Sequence, residues 1–232
     1  MNHLNKQRHK TVLVEILKEI YTDKDLKTAL GFKGGTAAFL FYDLPRMSVD
    51  LDFDLLKDIN KSLIVSKVKE ILGEYGRLDE STEKKHTLFF LLNYELGQKN
   101  IKVEISKRKS VSEFETKNYL GIPMLVMKQP DMAAGKLSAL ITRRKLASRD
   151  LFDLWYFLKN KWEIREKVVR KKTGLTLKEA LEKALEITEK IPQKRLLQGM
   201  GELVGENQKE IVKKNLKKDL AFQLRLYLDK LD

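Results

Sequence analysis

Three aspartates alternate with apolar residues over residues 48–54, in the order Ser-Val-Asp-Leu-Asp-Phe-Asp. Successive side chains of a β-strand point to opposite faces, so Asp50, Asp52 and Asp54 share one face, with Ser48 beside them. Neighbouring side chains on that face lie about 6.6 Å apart, a spacing at which two carboxylates can converge on one divalent cation. Because aspartate is a poor strand former and clustered carboxylates repel each other, the row favours a metal site. The alternative is an edge strand with a solvated acidic face.

A second candidate element is Lys33-Gly34-Gly35-Thr36, which follows a short apolar stretch and precedes a predicted helix. Two glycines let the backbone approach a phosphate closely, and a helix N-terminus offers free N–H groups and a positive dipole. This turn is a weak signal by itself. Because the aspartate row follows fourteen residues after Thr36, the two segments together predict a phosphate-binding turn facing a metal site. Transfer of a nucleotidyl group requires that combination.

The composition restricts the available chemistry to carboxylates and cations. The 232-residue chain has no cysteine, which excludes disulfides, thiolate metal sites and cysteine nucleophiles. It has only three histidines, so a histidine-rich metal site or a Ser-His-Asp hydrolase is not expected. No stretch approaches the roughly 20 apolar residues of a membrane span, and no apolar segment follows the basic N-terminus, so we expect a cytoplasmic protein.

The charge balance favours a polyanionic partner. Lys and Arg number 46 against 33 Asp and Glu, which gives a net charge of +13. Such an excess is typical of proteins that bind nucleic acid, although a lysine- and glutamate-rich surface of the thermophile kind has a similar composition. Two basic clusters, Arg143-Arg144-Lys145 with Arg149 and Lys107-Arg108-Lys109, are candidate contacts for an RNA backbone; the alternative is a solvated surface.

The apolar pattern predicts an α+β fold in two parts. In residues 1–128 it predicts helices at 4–21, 36–42 and 60–75, a short strand and turn at 31–35, and strands at 48–56, 86–95, 100–106 and 122–127. The strands at 86–95 and 100–106 are predicted to form a hairpin. In residues 129–232 it predicts only helices: one after Pro130, one at 151–158, one after the capping box of Thr176 and Glu179, and a last one at roughly 207–231. We therefore expect a mixed sheet with flanking helices, followed by a helical bundle.

The glycine turn and the aspartate row resemble the first motif of the DNA polymerase β-like nucleotidyltransferase superfamily. More specifically, they are similar to AbiEii-type and MenT-like toxins of abortive-infection and toxin–antitoxin systems. Two stretches of the helical half, residues 136–140 (Lys-Leu-Ser-Ala-Leu) and 149–155 (Arg-Asp-Leu-Phe-Asp-Leu-Trp), resemble that group's lysine and aspartate motifs. The resemblance covers roughly residues 28–158 and implies a nucleotidyltransferase-like α/β domain at 1–128. The all-helical domain at 129–232 would contribute a lysine and an aspartate to the cleft.

The resemblance also implies a role for each candidate residue. The implied nucleotide-binding residues are Lys33, Gly34, Gly35, Thr36, Ser48 and Lys136. The implied catalytic residues are Asp50, Asp52, Lys136 and Asp150, with Asp153 as a second candidate for the late aspartate. The implied ligands of Mg²⁺ are Asp50 and Asp52, with Glu104 of a later strand as a third candidate.

Three of these residues have a structural alternative. Lys136 lies close to an apolar helix stripe and could reach outward to solvent. Asp150 falls in the first turn of a predicted helix, where the dipole favours an acid. Glu104 lies near Lys102 and could be a surface ion-pair partner. Arg46, four residues before Asp50, could hold a phosphate or the aspartates themselves.

The function implied by the resemblance is Mg²⁺-dependent transfer of a nucleoside monophosphate from an NTP to an RNA acceptor. The specific acceptor it suggests is the 3′ end of a tRNA, and the role is that of a toxin restrained by an antitoxin. One alternative is a nucleotidyltransferase that modifies a small molecule. Another is a non-catalytic module that only binds nucleic acid. The glycine turn, the aspartate pair and the late lysine occur together, which favours a catalytic protein over a degenerate copy.

Overall fold

The computed structural model describes residues 4–57 and 59–231, which form two compact units. The first unit comprises the described chain up to Asp43 together with Met47–Met127. The second comprises Leu44–Arg46 and the described chain from Lys128 onward. The first unit holds a mixed sheet with helices and the second is helical, which confirms the predicted α+β class.

The described part of the first unit has a seven-stranded sheet and four helices. The helices are α1 (Lys6–Thr22), α2 (Leu26–Ala29), α3 (Gly34–Phe41) and α4 (Lys61–Gly73). The strands are β1 (Leu30–Lys33), β2 (Leu51–Leu55), β3 (Arg77–Glu83), β4 (Thr87–Asn93), β5 (Ile101–Ser106), β6 (Phe114–Tyr119) and β7 (Ile122–Met127). Their order across the sheet is β3-β4-β5-β2-β1-β7-β6, in which the β2–β5 and β1–β7 pairs are parallel.

One face of the central strands is apolar and buried. Phe53 of β2 is paired with Phe32 of β1 and with Ile105 of β5, and all three side chains are fully buried. Tyr21 of α1 contacts the Phe53 ring, so α1 covers this face. A shift of one residue in register would bring the aspartates of β2 into this core, so the apolar face fixes the position of the opposite, acidic face.

The β4–β5 hairpin is confirmed and each predicted strand is present, although β1 ends at Lys33 and β2 begins only at Leu51; the sequence did not indicate β3 or β6. These two strands are the edges of the sheet. The β3 sequence Arg-Leu-Asp-Glu-Ser-Thr-Glu is mostly exposed and lacks apolar alternation, and β6 is only partly buried. Charged edge strands protect a sheet from pairing with other chains. Because their charged sequences lack a regular apolar alternation, they cannot be predicted from hydrophobic periodicity.

The described part of the second unit has six helices and one 3₁₀ turn. They are α5 (Gln129–Thr142), α6 (Ser148–Lys159), α7 (Glu166–Thr173), α8 (Leu177–Lys190), the 3₁₀ turn Gln193–Arg195, α9 (Glu206–Lys214) and α10 (Leu216–Leu228). The capping box predicted at Thr176 and Glu179 is present at the start of α8. Helix α7 was missed because its sequence is short and mostly charged, with only Val168 and Val169 buried.

The single helix predicted over roughly 207–231 is wrong. Asn215 ends α9 and begins α10, with its N–H donating to the Ile211 carbonyl and its own carbonyl accepting from Asp219. Asparagine competes with helical hydrogen bonding and favours helix ends, which explains a break there. Across both units, none of the described helices is long and apolar enough to cross a membrane.

Candidate active site

The acidic face of β2 carries the predicted carboxylates of the first unit. Asp52 is opposite Lys33 of β1 and opposite Glu104 of β5, so three adjacent strands bring these side chains to the same face. Asp50 directly precedes the strand and is, like Asp52, half-buried. The predicted alternation is confirmed within β2, for Asp52 and Asp54, whereas Ser48 and Asp50 lie before the strand. Because β2 lies between β5 and β1, the alternative of an edge strand is wrong.

The glycine turn lies directly against the Asp52 carboxylate. Gly34 follows β1, begins α3 and has a φ of +82°, a conformation that L side chains rarely adopt. A Cβ built on Gly34 would be 3.1 Å from the Asp52 Cβ and would overlap its carboxylate oxygen. The Thr36 hydroxyl donates to the backbone carbonyl of Asp50, which ties the first turn of α3 to the residue before β2. Glycine is required here both for the backbone angle and for the close approach.

We expect Gly34→Ala to abolish transfer while Gly121→Ala does not. Gly121, in the turn between β6 and β7, has the same φ of +82°, but a Cβ there would meet nothing within 4 Å. Both variants strain the backbone by about 1–2 kcal/mol, whereas only the first displaces Asp52. Thermal unfolding and turnover measured on both variants separate the two effects. Equal activity in the two variants would show that the Gly34–Asp52 contact has no role in transfer.

The third aspartate of the row has a different environment. Asp54 is buried and forms an ion pair with the Lys33 ammonium, so the predicted nucleotide-binding Lys33 has a protein partner within its own sheet. Next to this pair, the Phe114 ring lies against Gly31, whose β1 position is opposite Asp54. The missed edge strand β6 therefore supplies an aromatic ring to the acidic face. Asp54 and Lys33 neutralise each other, and the candidate metal pair is Asp50 and Asp52, as the resemblance implies.

Two further residues border this pair. Ser48 is half-buried two residues before Asp50 in the stretch that leads to β2. His9 of α1 is fully buried, and its Nε2 lies 3.0 Å from the Val49 carbonyl and its Nδ1 3.0 Å from the Tyr94 hydroxyl. Burial lowers the pKa of His9, so the ring is neutral; it donates through Nε2 and accepts from Tyr94 at Nδ1. The sequence alone gave no sign that this histidine holds the backbone next to Asp50.

The donor set fits a magnesium ion held jointly by protein and substrate. Among the residues described, no three carboxylate or histidine side chains form a ready-made metal site. Mg²⁺ is usually bound by one or two carboxylates, with waters and substrate phosphates as its other ligands. Asp50 and Asp52 beside the glycine turn agree with that pattern. Whether Glu104 is a third ligand stays a prediction.

The helical unit contains a buried charge cluster. Asp153 of α6 is fully buried, and Arg46 forms two hydrogen bonds to it, from Nε at 2.5 Å and from Nη2 at 2.6 Å. The Lys136 ammonium of α5 lies 2.7 Å from the same carboxylate. Burial alone would raise the pKa of Asp153, but the charges of Arg46 and Lys136 outweigh it and hold that pKa below its usual value. Asp153 is therefore a buried carboxylate ion. Arg46, which the sequence left as a possible partner of a phosphate or of the aspartate row, pairs with Asp153.

Lys136 also donates to the second aspartate of this motif. Its Nζ lies 3.0 Å from Asp150, which is fully buried in the first turn of α6. Arg143 lies 3.1 Å from the other oxygen of Asp150. The alternative that Lys136 simply reaches outward to solvent is wrong, because its side chain is 16% exposed and faces two carboxylates. The sequence made Arg46 a candidate partner of a phosphate or of the aspartate row and Arg143 a candidate contact for RNA, but it did not predict that they pair with Asp153 and Asp150.

Comparison with known proteins gives a consistent identification. Residues 15–225 match the family model described as nucleotidyl transferase AbiEii toxin, type IV toxin–antitoxin system. None of the curated proteins matches the chain. Two crystal structures from Helicobacter pylori are similar: JHP933, with 21% identity over 99% of this chain and 95% of that chain, and a candidate nucleotidyltransferase, with 22% identity over 99% of both chains. Each has a TM-score of 0.63, which at this identity shows a shared fold. Because the family model spans most of the sequence, the chain belongs to the AbiEii nucleotidyltransferase toxin family and is a nucleotidyltransferase.

Proposed function

We propose that this enzyme transfers a nucleoside monophosphate from an NTP to an RNA acceptor in the cytoplasm, in a Mg²⁺-dependent reaction. The specific acceptor that we propose is the 3′ end of a tRNA, and the partner that restrains the enzyme is an antitoxin. One observation carries the proposal: the backbone of the glycine turn lies directly against the Asp52 carboxylate. A phosphate-binding turn and a cation-binding carboxylate can therefore engage the same triphosphate.

In this mechanism the chain binds and orients the triphosphate. The backbone N–H groups of Gly35 and Thr36 lie in the first turn of α3, where the helix dipole favours negative charge. Asp50 and Asp52 would hold Mg²⁺, which when bound offsets the negative charge that develops on the phosphates during transfer. The acceptor hydroxyl attacks the α-phosphorus and gives up its proton to water, the bond between the α-phosphorus and the bridging oxygen breaks, and pyrophosphate leaves. Glu104, opposite Asp52 on β5, is the candidate third carboxylate.

We propose that the motif residues of the helical unit, Lys136, Asp150 and Asp153, act in the same reaction. We assign to Lys136 the neutralisation of triphosphate charge. Asp150 holds the Lys136 ammonium through the hydrogen bond at 3.0 Å, so we treat Asp150 as the residue that orients the lysine. Asp153, paired with Arg46, fixes the same ammonium from its other side.

We expect Lys136→Ala to weaken NTP binding by at least tenfold, because one cation within reach of phosphate is worth about 1.5–3 kcal/mol as a charged hydrogen bond. Arg144→Ala is the matched control, because Arg144 is exposed and its loss removes the same charge. Isothermal titration with a non-hydrolysable NTP, corrected for the folded fraction, measures both variants. Unchanged NTP affinity in Lys136→Ala would assign the lysine to α5–α6 packing alone.

The proposed reaction is tested by incubating the enzyme with each α-labelled NTP, Mg²⁺ and total RNA, followed by gel separation. We expect one or more NTPs to label RNA of tRNA size, and chelation of the metal to stop the labelling. Label confined to small molecules would favour the small-molecule alternative. Absence of label from every fraction would contradict the proposed reaction.

A further inference from the structure

The second unit contains an open groove that no sequence motif indicated. It lies between the end of α8, the 3₁₀ turn and the α9–α10 segment, and its volume is about 570 Å³. Its lining residues are Glu189, Gln193, Lys214, Lys217, Lys218, Ala221 and Arg225. Four of these, Lys217, Lys218, Ala221 and Arg225, lie at spacings of three, four or seven residues on α10, so one face of that helix forms a wall of the groove, and Lys214 adds the end of α9.

Positive charge exceeds negative charge in this groove. Its lining has four cations and one carboxylate, Glu189, which is paired with Arg225. The Lys217 ammonium donates to the Ile191 carbonyl at 3.1 Å, a neutral partner that holds the charge at the groove without cancelling it. The nearest carboxylate to Lys214 is Glu210, whose oxygen is 3.9 Å away. The groove thus presents several cations to a single concave surface.

The basic clusters predicted from the sequence are partly engaged within the protein. Arg143 faces the buried Asp150 carboxylate at 3.1 Å, and Lys107 donates to Glu83 at 2.6 Å. Arg225 is likewise paired with Glu189, but the groove lysines Lys214 and Lys217 have less intramolecular compensation than Arg143 and Lys107. A polyanion therefore gains less at Arg143 and Lys107 than at the less compensated lysines of the groove.

An exposed aromatic residue lies on α10 beside the groove wall. Phe222 is 60% exposed and follows Lys218 by one turn on α10, next to Ala221 of the groove wall. Leu226, one turn further along, is 42% exposed. Cations that follow a phosphate backbone, combined with an aromatic ring on which a base can stack, are the features by which proteins bind single-stranded nucleic acid. An acidic peptide would use the cations but has no base to place on the ring.

We propose that this groove binds the phosphate backbone of a single-stranded RNA segment, with a base stacked on Phe222. The proposal rests on the proposed function for its identification of the acceptor as RNA, and it gives that RNA a docking surface in the helical unit. Lys214, Lys217 and Lys218 contact phosphates, while Gln193 supplies a neutral polar group to the same strand.

Direct binding of RNA tests the proposal without any chemistry. The probe is a fluorescein-labelled 20-nucleotide single-stranded RNA, measured by anisotropy with no NTP present, over a series of salt concentrations. The groove variant is Lys214→Gln with Lys217→Gln and Lys218→Gln. The control variant is Lys167→Gln with Lys171→Gln and Lys183→Gln, which removes the same charge from exposed positions of α7 and α8 outside the groove.

We expect the groove variant to bind RNA at least tenfold more weakly and to reduce the log–log salt slope by about 2, at about 0.7 per phosphate contact on single strands. Phe222→Ala should weaken binding about tenfold and leave the slope unchanged, because stacking releases no counterions. The control variant should lose less than threefold.

Equal losses in the groove and control variants would overturn the proposal, since only net charge would then matter. Equally tight binding of a polyglutamate peptide, with no effect of Phe222→Ala, would identify an acidic protein as the occupant instead. RNA binding that depends on the groove but no labelling of RNA by any NTP would refute the proposed function and leave this inference standing. If instead a groove variant binds RNA with wild-type affinity and still labels RNA, this inference is refuted and the proposed function stands.

Discussion

We expect Asp52→Asn to reduce transfer by at least a thousandfold and to leave the protein folded. Asparagine keeps the size of the side chain but removes the charge with which Asp52 would hold Mg²⁺ beside the glycine turn. Loss of an electrostatic contact that acts on the transition state typically lowers the rate by 10²–10³, and loss of a metal ligand has a larger effect. Asp50→Asn should have the same result. Turnover is measured at saturating NTP and Mg²⁺, with far-UV circular dichroism as the folding check.

Two comparisons make this result specific. Asp43→Asn is the charge-matched control, because Asp43 is exposed and asparagine tolerates its φ of +54°. It should retain wild-type activity. The melting temperature of Asp52→Asn should equal or exceed that of the wild type, since removal of one of several clustered carboxylates relieves repulsion. Wild-type turnover in both Asp52→Asn and Asp50→Asn would refute the metal pair.

Arg46→Met has the largest effect on stability that we expect, a loss of about 3–5 kcal/mol in the free energy of unfolding. The substitution removes both hydrogen bonds to Asp153 and leaves a fully buried carboxylate with Lys136 as its remaining cation. The exposed pair Arg170–Glu166 supplies the control, because Arg170→Met should cost less than about 1 kcal/mol. Urea denaturation measures each variant.

The double variant Arg46→Met with Asp153→Leu isolates the cause. Replacing both members of a buried ion pair by apolar groups is often neutral or stabilising, so most of the lost stability should return. If the double variant is no more stable than Arg46→Met, then the arginine acts through packing and not through the carboxylate.

The same pair predicts how stability changes with pH. Because the folded-state pKa of Asp153 is lowered, its contribution to stability is fully present above the unfolded value of about 3.9. That contribution is lost as the pH falls through the folded-state pKa. The difference in unfolding free energy between wild type and Arg46→Met should therefore shrink below about pH 4. A difference independent of pH from 3 to 7 would contradict the ion-pair interpretation.

The elements that follow periodic apolar patterns could be predicted from the sequence. The stripe of α1 and the alternation of β2 each have one buried face, so burial and sequence pattern coincide. The capping box of α8 was found because its chemistry is local. The edge strands β3 and β6 and the short helix α7 bury few side chains, and their stability comes from neighbours that a linear pattern does not show.

The residues of the candidate site also fall into those whose proximity could be predicted from the sequence and those whose pairing could not. The aspartate row and the glycine turn are close in sequence, so strand and helix geometry alone placed Asp52 and Gly34 near each other. The partners of Asp153 come from positions 107 residues and 17 residues earlier in the chain, and this pairing depends on tertiary structure. The same holds for His9, which contacts the Val49 carbonyl 40 residues further along.

The fate of the two ends of the triphosphate tests the central claim most directly. The enzyme is incubated with RNA, Mg²⁺ and the active NTP, labelled at the α-phosphate in one reaction and at the γ-phosphate in another. Nucleotidyl transfer predicts that the α-label enters RNA and that the γ-label is released as pyrophosphate in equal amount, with neither event in Asp52→Asn. Entry of the γ-label into RNA, or its release as orthophosphate without labelling of RNA, would contradict the account.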